Sequence, residues 1–414
     1  MTISSATSGR TPLALAFTSF VAIGTVNGVL GVAWPSIQAS FGLPLDALAW
    51  LLTSSTIGFF AGSVLAAQLI EKLGFGRFLL ICSFVAALAV FGYVIAPSWW
   101  VMVACGLFVG VGGGAMSTGL NIQVAATSTV RTMNWMHASF SVGASIGPLL
   151  MTAIIGAGQS WRLGYIVAGL VYLGLGLAFL AALRQGSFFD APRSLSDERE
   201  YNLPKVARRT RPAETLRLPV IWLSVVLFFL YTGVEASAGQ WAYSLFTEAR
   251  GVSTYVAGAM ISVFWAMLAL GRIVFGAAAV RIGVERLLRL AMIGVLLSAA
   301  LLVVRVTPVG FAALALMGLS LSIIFPTLTA HTPRRVGIDH AANAISFQTG
   351  AASIGLALLP SLAGFLAARV GLESLGPFLV VGSLLMLTAN QVASRLARRS
   401  RPVAEKTVAG STPR

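Results

Sequence analysis

Charge is what this sequence has least of. Asp, Glu, Lys and Arg together make up 10% of its 414 residues, and the acids number only 13. A water-soluble globule of this length could not cover its surface with so few charges, so lipid must solvate most of it. Cysteine is nearly absent as well. Cys82 and Cys105 both fall inside apolar runs, which excludes a disulfide framework and gives no redox signal. The three histidines, His137, His331 and His340, are too scattered for a metal site. No phosphate-binding P-loop is present, which argues against ATP-driven chemistry. The strings Gly110-Val111-Gly112-Gly113-Gly114 and Gly143-Ala144-Ser145-Ile146-Gly147 mimic a dinucleotide loop and a nucleophile elbow. Neither follows a strand, so no cofactor, metal or enzymatic role is expected.

What the sequence does have is apolar length. It is 57% hydrophobic, with a mean hydropathy of +0.87. At about 20 residues per crossing, twelve spans can be drawn, at about 12–37, 46–71, 77–96, 98–124, 134–158, 161–184, 218–246, 252–281, 285–305, 308–331, 340–368 and 372–394. The run from Thr11 to Trp34 is as long as a full span and is read as a retained helix rather than a secretory signal. The fold expected is an all-α membrane protein of twelve transmembrane helices in two pseudo-symmetric six-helix halves. The halves cover 1–184 and 218–394. A polar, proline-containing linker (185–217) joins them, and a basic tail (395–414) follows.

The net charge of +15 does not indicate nucleic acid, because the bases sit in short segments between spans. With both termini on the cytoplasmic side of a bacterial inner (plasma) membrane, only Arg162, Arg250, Arg305 and Arg369 of the 28 Lys and Arg lie outside, and Arg272 lies within a span. That bias favours this orientation over its reverse.

The halves repeat one another. Gly42, Gly62, Gly74 and Arg77 recur 209 residues later as Gly251, Gly271, Gly283 and Arg286, and Ala144-Ser145-Ile146-Gly147 recurs as Ala352-Ser353-Ile354-Gly355. Two similar sets of apolar spans are the mark of a secondary transporter, in which a site between the halves is exposed to either side in turn. Close helix approach in lipid needs small residues. Gly106, Gly110 and Gly114 on the fourth span, and Gly143 and Gly147 before Pro148 on the fifth, are expected to pack helices.

The loop Ala67-Gln68-Leu69-Ile70-Glu71-Lys72-Leu73-Gly74-Phe75-Gly76-Arg77 and its counterpart Arg281-Ile282-Gly283-Val284-Glu285-Arg286 resemble the signature loop of the major facilitator superfamily. The likeness departs at Ala67, where glycine is usual, and at the displaced base Arg77. It implies a cytoplasmic gate made by Glu71, Lys72, Gly74, Arg77, Arg281, Gly283 and Arg286, which latches the outward-facing state. A narrower resemblance is to the fucose permease-like branch of sugar:proton symporters. It rests on Asn121, on Met136-His137-Ala138-Ser139-Phe140-Ser141-Val142-Gly143, and on Tyr231-Thr232-Gly233-Val234-Glu235 followed by Gly239-Gln240-Trp241. In that branch acids stand in the first and fourth spans, where this chain has Asn27 and Asn121.

Glu235 is the one carboxylate well inside a span. Burying it ionised costs at least about 2.5 kcal/mol, so it must be paired, hydrated or protonated, and it is the proton-coupling candidate. Arg272 is the one base well inside a span. Counting along the helices puts it about 10 Å or more in depth from Glu235, too far for a permanent pair. Asn27, Phe140, Gln240, Trp241, Arg272 and Gln348 are the substrate-binding candidates, since neutral amides and aromatic faces suit a hydroxyl-bearing solute. The expectation is a monomeric proton-coupled symporter of a sugar or polyol-like solute. A proton-coupled efflux antiporter for drugs or metabolites is the alternative, because Gly143–Pro148 partly matches the antiporter motif of the fifth span.

Overall fold

The computed structural model describes residues 10–127, 130–184 and 210–399; some side chains within them, including all of 275–282, lie outside the described set. Residues 185–209 of the expected linker and 400–414 of the tail also lie outside it. The regular structure among the described residues is entirely helical. Helices satisfy their backbone hydrogen bonds internally, which lipid demands.

The first half consists of α1 (Arg10–Phe41), α2 (Leu48–Leu73), α3 (Phe75–Ile95), α4 (Trp99–Thr127), α5 (Val130–Gly156) and α6 (Trp161–Arg184). A short helix, α7 (Pro212–Leu216), leads into the second half. There α8 (Pro219–Ser244) runs into a π turn, and α9 (Thr254–Ile282) and α10 (Val284–Val303) follow. Next come α11 (Thr307–Leu321) and α12 (Ile324–Val336), which together make one crossing, then α13 (Ile338–Val370) and α14 (Leu375–Arg399). Among the described residues twelve stretches are long and apolar enough to span a membrane. Arg10 and Arg399 share one end of the bundle, the near end, because an even number of crossings separates them.

The glycines that recur at one offset recur with one conformation. Gly42 and Gly251 turn the chain at φ 63° and 64°, and Gly74 and Gly283 at 76° and 84°. A side chain is strained at such angles, so glycine is what lets each pair of helices reverse in so few residues.

Within the first half, α1 packs on α5 and α2 on α4; the counterparts are α8 on α13 and α9 on α11. The two halves meet along α5 and α9, α1 and α8, and α2 and α13. The contacts that can be followed by side chain gather toward the far end. Gly31 of α1 lies against the backbone of Gly239 and Gln240, a Cβ there falling 2.7 Å from the Gly239 carbonyl oxygen. Tyr255 covers Gly156, Thr152 covers Gly258, and the Ser145 hydroxyl donates to the Ser262 carbonyl at 3.0 Å. Deepest toward the near end, Arg272 of α9 reaches Ser141 of α5.

Candidate functional site

Tyr231 and Glu235 are one turn apart on α8, so they share a face. The Tyr231 hydroxyl donates to Glu235 Oε2. Tyr231 is buried and Glu235 half-buried. From α9 the Arg272 guanidinium reaches across the boundary between the halves. Its Nη1 donates to Ser141 Oγ at 2.8 Å and toward the His137 carbonyl at 3.3 Å, both on α5. The same guanidinium is within interaction range of the Tyr231 hydroxyl and of the Glu235 carboxylate. Arg272 and Glu235 do not form a direct ion pair, as their depths suggest, and Tyr231 links them instead. The count along the helix axis gave the rise between Cα atoms, whereas Tyr231 stands a turn nearer Arg272 and the arginine side chain is long. A charge in a bundle wrapped by lipid is tolerated when it has such partners. The His137 ring meets Phe20 of α1 edge-on, with centroids 5.4 Å apart, which brings a third helix to the cluster.

Asn27 is exposed, yet on α1 it lies between Gly24, packed on the Phe140 carbonyl, and Gly31, packed on α8. Its exposed face therefore opens between the two halves. Its amide nitrogen donates to the Ile23 carbonyl at 2.8 Å. Phe140 and Gln240 are half-buried, and Gln240 Oε1 is buried without a hydrogen-bond partner. An unpartnered amide oxygen is costly unless something else satisfies it. It is a donor-seeking group on the residue that packs against Gly31 of α1, where the halves meet.

Trp241 and Gln348 leave the lining set. Trp241 is 1% exposed, fills the space over Gly364 and donates to the Pro360 carbonyl at 2.7 Å, so it joins α8 to α13. Gln348 is 2% exposed and its Oε1 accepts from the Thr332 hydroxyl at 3.0 Å, inside the second half. Both faces were misjudged because spans that are apolar all round give no rotational reference.

At the near end, Gly74 and Gly283 begin α3 and α10 with open space where a Cβ would stand. Glu71, Lys72, Arg77 and Arg286 are exposed there, and the side chain of Arg281 is outside the described residues. Gly110 and Gly114 lie against the Ser55 and Phe59 carbonyls of α2, and Gly106 against Leu51. Gly143 and Gly147 lie against the Val21 and Thr25 carbonyls of α1, with Pro148 beside Gly28.

Two polar assemblies escaped the sequence reading. Arg250, just past α8, makes a bidentate pair with Glu373 at 2.8 and 2.9 Å. Its only signal was a pair of charges flanking spans. The tail end of the linker is fastened to α13. Thr210 donates to the Asp339 carbonyl at 2.8 Å, Asn343 donates to the Thr210 carbonyl at 3.0 Å, and the Thr215 hydroxyl meets His340 Nδ1 at 2.9 Å.

The chain is 24% identical over 92% of its length to the human "Sodium-dependent glucose transporter 1", spanning 79% of that protein. The zebrafish protein of the same name is 24% identical over 85% of the chain, which spans 64% of it. "Glucose/mannose transporter GlcP" of Bacillus subtilis is 22% identical over 62% of the chain and 63% of its own length. Among solved structures, the nucleoside transporter NupG superposes with a TM-score of 0.75 at 11% identity, covering 93% of this chain and all of that one. A bacterial homolog of the human lysosomal transporter Spinster, inward-facing and unoccupied, gives 0.76 at 16% identity, covering 96% and 99%. These two share the fold. The profile of the Major Facilitator Superfamily matches residues 15–347, and with twelve spans around a polar cluster between two halves, this chain belongs to that superfamily of membrane transporters.

Proposed function

We propose that this transporter moves a small neutral polar solute, a sugar or polyol, by alternating access coupled to proton movement, with Glu235 taking and releasing the proton. The observation that carries the reading is the placement of Glu235. It is half-buried in the space between the halves, hydrogen-bonded by Tyr231 and within reach of Arg272. An acid in that position meets water from one side at a time as the halves rock. On the two helices that meet there, Asn27 and the unpartnered Gln240 Oε1 supply neutral hydrogen-bonding groups for hydroxyls. The sugar-transporting relatives add support for the solute class. With both termini cytoplasmic, the cluster of contacts at the far end corresponds to a state open to the cytoplasm.

The test is uptake of radiolabelled glucose, mannose and a polyol panel into proteoliposomes under an imposed proton gradient or an imposed sodium gradient. The reading expects accumulation driven by protons. Glu235→Gln should abolish it, at least about tenfold, while sparing solute exchange down its own gradient. Accumulation driven by sodium alone, or unchanged proton-driven accumulation in the variant, excludes Glu235 as the proton carrier. Proton-driven expulsion of lipophilic cations would assign the chain to efflux instead.

A further inference from the structure

We propose that Arg272 is a positioning residue that reports the protonation state of Glu235 to the first half, by dividing its guanidinium between α5 and the Tyr231–Glu235 pair. The inference rests on the proton-carrier reading of Glu235 and adds to it a route by which the proton changes the fit of the two halves.

The route is a continuous polar chain. Ser141 Oγ and the His137 carbonyl belong to the first half, and Arg272 of the second half donates to both. On its other side Arg272 interacts with Tyr231, which donates to Glu235. The titratable and charged groups acting on Glu235 are thus Tyr231, on its own helix, and Arg272, on α9; on α5 the His137 ring faces Arg272. The guanidinium has five N–H donors in a fixed plane, so it serves two sides at once but cannot optimise both. Both acceptors on α5 are neutral. When Glu235 holds a proton, no anion competes with them, and Arg272 holds α5 against α9 at the level of Ser141. When the proton leaves, the carboxylate becomes the strongest acceptor within reach and draws the guanidinium toward α8. The hold on α5 then slackens at this level, the last cross-half contact followed toward the near end, while the Ser145–Ser262 and Thr152–Gly258 contacts above it stay. The proton moves from Glu235 to water.

The experiment measures the α5–α9 distance by double electron–electron resonance on the purified full-length chain, with Cys82 and Cys105 replaced by alanine. Spin labels replace Trp135 on α5 and Ile273 on α9, both exposed. No solute is added, and pH is scanned from acid to alkaline. The wild-type background should show a longer distance as pH rises. Glu235→Gln should stay at the short, acid-form distance at every pH. Arg272→Gln should stay at the long distance, Arg272→Lys should keep a pH response with a displaced midpoint, and Ser141→Ala should shift the midpoint toward lower pH. If Arg272→Gln does not yield a monodisperse protein, Arg272→Lys and Ser141→Ala carry the test. Wild-type amplitude and midpoint in the Arg272 and Ser141 variants would overturn the proposal, as would a background distance that ignores pH. Proton-driven uptake by Glu235→Gln then tells which idea failed. Lost uptake leaves the carrier reading standing and removes only the route, whereas retained uptake removes both.

Discussion

At the far end of α3 the Val94 carbonyl accepts from Arg162 Nε at 3.0 Å, and Arg162 enters from the start of α6. At the matching place in the second half, 208 residues on, the Leu302 carbonyl accepts from Arg250 Nη2 at 2.7 Å, and Arg250 comes from the turn after α8. The same helix end is capped by the same chemistry from opposite neighbours. Around it, the first half builds an aromatic corner. Phe41 meets Trp99 and Trp161, and the Trp161 indole donates to Ser40 Oγ at 2.9 Å. The second half builds a charged one, with Arg250 paired to Glu373 and stacked over Phe246. Deeper in the bundle the contrast continues. Between α2 and α4, Gly58, Gly62, Gly110 and Gly114 all bring backbone against backbone. Between α9 and α11, Gly318 alone repeats that pattern, while Gly271 faces the Ser322 side chain and Leu314 stands where Gly106 stood. Backbone contacts have one fit, whereas side chains can repack. The half that carries Glu235, Tyr231 and Arg272 is the half held together more by side chains.

The sharpest way to break this comparison is to crowd both kinds of contact. Gly110→Val puts branched carbon into the Ser55 carbonyl, and should cost about 3 kcal/mol or more and leave little folded protein in detergent. Gly294→Ala meets the Ser320 hydroxyl, and should cost about 1 kcal/mol because that hydroxyl can turn aside. Equal losses on size-exclusion chromatography would mean the halves are equally rigid.

The two corners come next. Arg250→Ala removes a bidentate pair, leaves Glu373 only the exposed Arg305 at 3.7 Å, and should cost about 2 kcal/mol. Arg162→Ala gives up one hydrogen bond to a carbonyl and should cost about 1 kcal/mol. Thermal unfolding of the two variants gives the ranking directly, and a larger drop for Arg162→Ala would reverse it. Gly74 and Gly283 are where the halves ought to agree. With φ positive and ψ of 150° and 137°, an alanine at either should cost about 1–3 kcal/mol, to the same extent. A clear inequality in unfolding temperature would show that the near-end turns are not equivalent. The smallest effect is expected of Trp241→Phe. Losing the bond to Pro360 should cost about 1 kcal/mol and leave solute affinity unchanged; weakened affinity in an uptake assay would return Trp241 to the lining.

Much of the framework was legible because lipid leaves so few options. Long apolar runs become helices, and the recurring glycines mark where they reverse. Glu235 stood out for the same reason, as an acid where acids are expensive. Rotation about each helix axis was not legible. Lipid-facing and core-facing residues are both apolar, as with Leu88 exposed and Val90 buried on α3, so Trp241 and Gln348 gave no sign that they point into helix contacts. Reach was not legible either. Axial counting kept Arg272 and Glu235 from pairing directly, but it gave no sign that Tyr231 and the long guanidinium would bring the two within electrostatic range.

The fastening of Thr210 and Thr215 to α13 resets where the leash between the halves ends. Whatever pull reaches Thr210 is delivered to the first turn of α13 rather than to α8. Parting the chain just after Thr215 should therefore cost more folded protein than parting it just before Thr210, because it takes the second half from its own clasp.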